Sequence, residues 1–215
     1  MLEFKNVSGT SKKFNLNNIS FCAKEGYITG IIGPNGAGKT TLLQYILSEK
    51  KKYTGTILYD GKDVTTNSNS FRNILGYISD DKRFFDEFTI SENVSLLSPF
   101  YSIWDNDLFL NQMELMNVSP YKKVFNLSRG EYIRFQLAFA MAHHSKLYLF
   151  DEATSGMDPV FKKDFFKILH NLIATENVTI IMTTHIEEEI NRHMDYYGFL
   201  ENGELKSFKE VLEND

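Results

Sequence analysis

Tyr27-Ile28-Thr29-Gly30-Ile31-Ile32 runs without a break into Gly33-Pro34-Asn35-Gly36-Ala37-Gly38-Lys39-Thr40. The first six residues read as a buried strand. Leu42, Leu43, Tyr45 and Ile46 mark one side of a helix that begins near Lys39. Between the two stands a full match to G-x-x-x-x-G-K-[ST], in the strand–loop–helix setting that motif requires. Glycines let successive N–H groups turn inward on phosphate oxygens without side-chain clashes, and the helix N-terminus adds its positive end. Lys39 is expected to bring a full charge to the β/γ-phosphates and the Thr40 hydroxyl to ligate Mg²⁺, with Thr41 counted among the binding residues. Kinases, GTPases and helicases share this loop, so it implies a nucleotide and leaves the function open.

Working outward, Leu147-Tyr148-Leu149-Phe150-Asp151-Glu152 is an apolar strand that ends in two acids. Asp151 at the strand tip is placed to hold Mg²⁺, and Glu152 beside it to act as general base on an attacking water. A strand followed by a polar turn is the plainer reading; the phosphate loop upstream weighs against it.

Leu127-Ser128-Arg129-Gly130-Glu131 lies about twenty residues before Asp151 and opens a helix. With it the chain resembles the ABC ATPase family over nearly its whole length, the segment standing where that family has L-S-G-G-Q. The resemblance implies that Ser128 and Gly130 contact the γ-phosphate of a nucleotide bound to the opposite subunit. Ser128 and Glu131 also read as an ordinary capping box, and the two roles are compatible. Ser155-Gly156-Met157-Asp158 is similar to the family's D-loop on the dimer seam, and His185, after Ile180–Met182, to its switch histidine.

Some positions depart from the family pattern. Arg129 and Glu131 replace Gly and Gln and read as tolerated variation. Asp80, after Leu75–Ser79, stands where the family has a Q-loop glutamine, and a carboxylate there suits a hard cation. Phe14 is the one aromatic in the loop that should stack on adenine. His143 and His144 read as plain helix-end residues, and Lys50–Lys52 as a solvated helix end.

The alternation along the chain is α/β. The expected fold is a P-loop NTPase core with a mixed sheet, an N-terminal antiparallel β-subdomain and a small α-helical insertion. It forms one domain over 1–215, with the helical part at about 86–140. Strands are expected at Leu2–Val7, Ile19–Ala23, Thr56–Tyr59, Ile74–Ile78 and Val178–Met182. Helices are expected at Arg129–His143 and Phe161–Ala174, and a hairpin across Asn202-Gly203. Within the insertion, Leu108, Leu110, Met113, Leu115 and Met116 carry the helical period.

A net charge of −5 argues against broad nucleic-acid binding, and the single Cys22 excludes a disulfide framework within the chain. No apolar stretch approaches the roughly 20 residues of a membrane span, so a cytoplasmic chain is expected. The sequence stops soon after the hairpin, and no appended regulatory domain is expected. The resemblance implies an ATP- and Mg²⁺-dependent head-to-tail dimer; the presence of all the main catalytic groups favours a homodimer, with a heterodimer as the alternative, since Asp80 and Arg129 could mark one half of an asymmetric pair. It would drive a separate transmembrane permease at the inner face of the membrane. Trp104-Asp105 and the Leu127-Ser128-Arg129-Gly130 variant look similar to stand-alone ATPases of bacterial drug or peptide exporters. A non-transport ABC ATPase, a P-loop kinase or GTPase, and a nucleotide sensor without turnover are the competing readings.

Overall fold

Alternating apolar residues pair the first two strands, β1 (Leu2–Ser11) and β2 (Phe14–Ala23), into an antiparallel ribbon. The computed structural model describes residues 1–11, 14–47, 53–66, 68–81, 83–186 and 188–211. The side chains of Thr10, Ser11 and Phe14 lie outside that set, as does the Lys50–Lys52 run, so neither adenine stacking by Phe14 nor the exposure of those lysines is described. Next come β3 (Ile28–Ile32), α1 (Lys39–Ile46), β4 (Tyr53–Tyr59), β5 (Lys62–Asp63), α2 (Ser68–Asn73) and β6 (Leu75–Ser79). A helical stretch follows, with α3 (Ile90–Leu97), α4 (Asn106–Leu115) and α5 (Arg129–Ala142), before β7 (Leu147–Asp151), α6 (Pro159–Glu176) and β8 (Thr179–Thr184). The chain closes on α7 (Glu188–His193) and the hairpin β9 (Tyr196–Glu201)–β10 (Glu204–Glu210), which turns at Asn202-Gly203 as expected.

Two sheets result. One is antiparallel, in the order β2-β1-β4-β5; the other is mixed, in the order β10-β9-β3-β8-β7-β6, with β3, β6, β7, β8 and β9 parallel. Strands β3, β7 and β8 are buried along their whole length, which is why they read as continuous apolar runs. Side chains of β7 alternate between two cores. Leu147 and Leu149 join α1 and the antiparallel sheet, while Tyr148 and Phe150 join α5 and α6. The mixed sheet is thus the middle of three layers.

The structure corrects one expectation of burial. On α4 the packed face is Phe109 and Met113, continued by Met116, whereas Leu110 and Leu115 face solvent. On α5, burial extends nearly all round, from Tyr132 to Ala142, because the helix is wedged between β6 and the α3–α4 layer.

Candidate functional site

The parallel register gathers the chemistry at one edge. Ser79 of β6 lies abreast of Asp151 of β7, Asp151 abreast of Thr183 of β8, and Thr183 abreast of Ile31 of β3. The residues that follow each strand therefore emerge side by side at the carboxyl ends, the edge where open α/β sheets bind ligands.

Gly33 leaves β3 so close to the Leu200 carbonyl that an added Cβ would lie 2.0 Å from that oxygen, which excludes any side chain. Pro34, Asn35 and Gly36 are exposed, Gly36 takes a φ of 82°, and Ala37 is buried against the core. Gly38 caps α1 with no side-chain hydrogen bond, so the first amides of the helix, from Lys39, Thr40 and Thr41, have no intrahelical acceptor. Lys39, 4% exposed, donates through Nζ to the Gly33 carbonyl at 2.8 Å and the Pro34 carbonyl at 3.2 Å. The same ammonium pairs with Glu152 Oε1 at 3.1 Å. An uncapped helix start around a desolvated cation, its third partner a carboxylate, fits an oligophosphate.

Asp151 is buried and accepts from Thr183 Oγ1 at 2.7 Å and from Tyr77 Oη at 3.2 Å, one donor to each oxygen. An ionised carboxylate has about four lone-pair positions, so capacity for a cation remains. Burial, with Asp151 adding its charge, holds the Tyr77 phenol far above its ordinary pKa, so it stays a donor. Glu152 sits in the left-handed region, at φ 49°, with its N–H donating to Thr183 Oγ1 at 3.0 Å. Its second oxygen lies 3.8 Å from His185 Nδ1. The structure thus brings together Lys39, Glu152 and His185, with Asp151 at the adjoining strand end.

Other expected residues fall elsewhere. Ser128 caps α5 and forms the full capping box with Glu131, which Lys122 also contacts at 2.9 Å. Space is open in front of Gly130. Asp158 caps α6 by accepting from the Phe161 N–H at 2.9 Å. The metal role expected of Asp80 meets a competing contact, since both its oxygens face Arg129 at 2.7 Å. Arg129, read as tolerated variation, is instead a bidentate partner. His143 is not a plain helix-end residue but is 4% exposed and stacked on Tyr101, with ring centroids 4.0 Å apart.

Thr183 and Gln136 carry no motif. Buried Gln136 clasps the Ser79 backbone, donating to its carbonyl at 2.8 Å and accepting from its N–H at 3.1 Å. A glutamine within an apolar helical run was the one available signal.

The chain belongs to the ABC transporter family, whose family description matches residues 16–155, and it is an ATPase domain of that family. It is 30% identical over 198 residues to the ABC transporter ATP-binding protein YtrB of Bacillus subtilis, covering 92% of this chain and 68% of that protein. The bacitracin transport ATP-binding protein BcrA of Bacillus licheniformis is 30% identical, with 92% and 64% covered. The methionine import ATP-binding protein MetN of Haemophilus ducreyi is also 30% identical, with 99% and 66% covered. The chain therefore spans about two thirds of the length of these relatives. In fold it matches the dimeric ATP-binding cassette MJ0796 bound to ADP and Pi, with a TM-score of 0.85, 23% identity and 99% of each chain covered.

Proposed function

We propose that this chain hydrolyses MgATP as the motor of a transporter whose membrane-spanning part is a separate chain. The observation that carries the reading is the Lys39–Glu152–His185 cluster beside the uncapped start of α1. Incoming γ-phosphate oxygens compete with Glu152 for the Lys39 ammonium. The freed carboxylate then takes the proton of a water that attacks phosphorus as the bond to the ADP oxygen breaks. His185 contacts the transferred phosphoryl group, and its Nδ1 approach to Glu152 keeps the two groups on one side of it. Thr40 and Asp151 are the residues that would hold Mg²⁺, which supplies positive charge to the β/γ-oxygens. Ser128 and Gly130 complete the site of a second copy, head to tail, and the open space before Gly130 supports that role. Asp158 lies on the same seam.

No described helix is long and apolar enough to cross a membrane, and in this reading the separate chain supplies the path. We assign the docking of that permease to a groove of about 660 Å³ between β6, α5 and the end of α3. Tyr77, Phe84, Phe100 and Tyr101 line it, and Phe100 is 79% exposed. BcrA is named for bacitracin transport and MetN for methionine import, each at 30% identity, so these relatives leave the direction of transport open. We place this chain with exporters of drugs or peptides on the Trp104-Asp105 and Ser128-Arg129-Gly130 resemblance.

The test is Glu152→Gln, purified with ATP and Mg²⁺ from native membranes. We expect no hydrolysis, a stable dimer, and a polytopic membrane protein in the eluate. A monomer at saturating ATP would refute the sandwich, and a soluble complex in place of the membrane protein would refute the transport reading.

A further inference from the structure

Asp80 and Arg129 are separated by 49 residues and are each a departure from the family pattern, yet they meet. Arg129 Nε donates to Asp80 Oδ1 and Nη2 reaches Oδ2, both at 2.7 Å, in a two-pronged pair. The same Nη2 donates to the Glu152 carbonyl at 3.1 Å. On its far side the guanidinium covers Gly156, where an added Cβ would stand 2.8 Å from Nη1. One side chain at the start of α5 therefore touches the loop after β6 and the turn after β7.

The paired side chains are 38% and 53% exposed, and ion pairs this exposed contribute little to stability. The pair is a weak brace for the fold. Its third contact falls on a residue that needs one. Glu152 occupies a left-handed conformation that is strained for a non-glycine residue. Strand β8 pins the Glu152 N–H through Thr183, and the carbonyl is pinned by the Ser155 N–H at 3.1 Å and by Arg129. With both ends of the residue held, its carboxylate points at Lys39 and His185.

We propose that Arg129 is a positioning residue for Glu152, aimed by Asp80, so that the loop after β6 controls the catalytic turn through one guanidinium. The inference rests on the reading of Glu152 as general base. It gives Asp80 a purpose other than metal ligation, and it ties the groove beside β6 to the chemistry within a single chain. A fork is required: lysine in place of Arg129 keeps the charge but cannot hold Asp80 with two parallel bonds and the Glu152 carbonyl together.

The experiment measures steady-state MgATP hydrolysis by the full chain for Arg129→Gln, Arg129→Lys, Asp80→Asn, the Asp80→Asn/Arg129→Gln double variant and Glu152→Gln. Displacing a catalytic group by about 1 Å can cost up to 100-fold, so Arg129→Gln and Arg129→Lys should each lose about tenfold in kcat with KM within about twofold. Asp80→Asn should lose several-fold alone and nothing more in the Arg129→Gln background. In the nucleotide-free protein, amide exchange in the 152–156 turn should speed up about tenfold in Arg129→Gln, with little change in the urea midpoint. A kcat within twofold of the parent, or losses that multiply in the double variant, would overturn the proposal. If Glu152→Gln is inactive while Arg129→Gln is normal, only this inference fails. Full activity in Glu152→Gln would remove the base reading and this inference with it. Should Arg129→Gln not fold, Asp80→Asn decides, because an unchanged kcat there is also fatal.

Discussion

Replacing Glu189 with alanine should be among the most damaging single changes in the chain. This carboxylate is 3% exposed. Its Oε2 accepts from Thr154 Oγ1 and Thr184 Oγ1, each at 2.9 Å, and its Oε1 pairs with Lys162 Nζ at 2.8 Å. Truncation leaves two hydroxyls of residues 1% and 2% exposed, and an ammonium whose side chain is 26% exposed, without their acceptor. A buried polar group left unpaired costs about 1–3 kcal/mol, and breaking a buried ion pair from one side about 3–5 kcal/mol. Lys162 can turn partly to water, so a total near 3–4 kcal/mol is expected. That is a large share of the roughly 5–15 kcal/mol that holds a domain together. Urea unfolding followed by circular dichroism should show a lower midpoint at unchanged slope. Hydrolysis should fall as well, because Thr184 precedes His185 and Thr154 lies within the turn that carries Glu152. A loss below about 1 kcal/mol would refute the argument, since it would mean that the three donors find other partners.

Thr183→Val keeps the shape of the side chain but removes the hydroxyl between Asp151 and the Glu152 N–H. We expect a loss of about 1.5–3 kcal/mol and a drop in kcat, read by urea unfolding and steady-state hydrolysis. Burial lowers the pKa of His143 from 6.5 to about 4, so the unfolded chain takes up the proton first. Stability should then fall as pH drops from about 6.5 toward 4, by about 3 kcal/mol in all, and His143→Phe should flatten that part of the profile in unfolding curves. Phe100→Asp puts a charge on the exposed lip of the groove and should cut recovery of the proposed membrane partner about tenfold or more in pull-downs, at an unchanged melting midpoint.

Much of the site was legible because it is written in local backbone chemistry. A glycine-rich turn between a strand and a helix specifies its own anion cradle, and acids at the end of an apolar strand emerge at the sheet edge whatever surrounds them. The capping box at Ser128 was legible for the same reason, since its two partners are three residues apart. Burial around the helices was harder. Leu110 and Leu115 fit the helical period as well as Phe109 and Met113 do, and only the neighbours of α4 decide which of them face inward.

By itself the sequence determined the α/β class, the phosphate loop, and the strand-end places of Lys39, Asp151 and Glu152, which depend on short segments with one favoured geometry, whereas His185 was picked out by the family resemblance alone. Tertiary structure alone decided who meets whom across the ends of the strands. The register of β6, β7, β8 and β3 sets Thr183 against Asp151, brings Lys39 to Glu152, and lets α5 carry Arg129 onto Asp80 and the Glu152 carbonyl. The physical reason is range. A cap or a turn is settled within a few residues, whereas an ion pair between residues 49 apart exists only once the sheet has placed both of its ends.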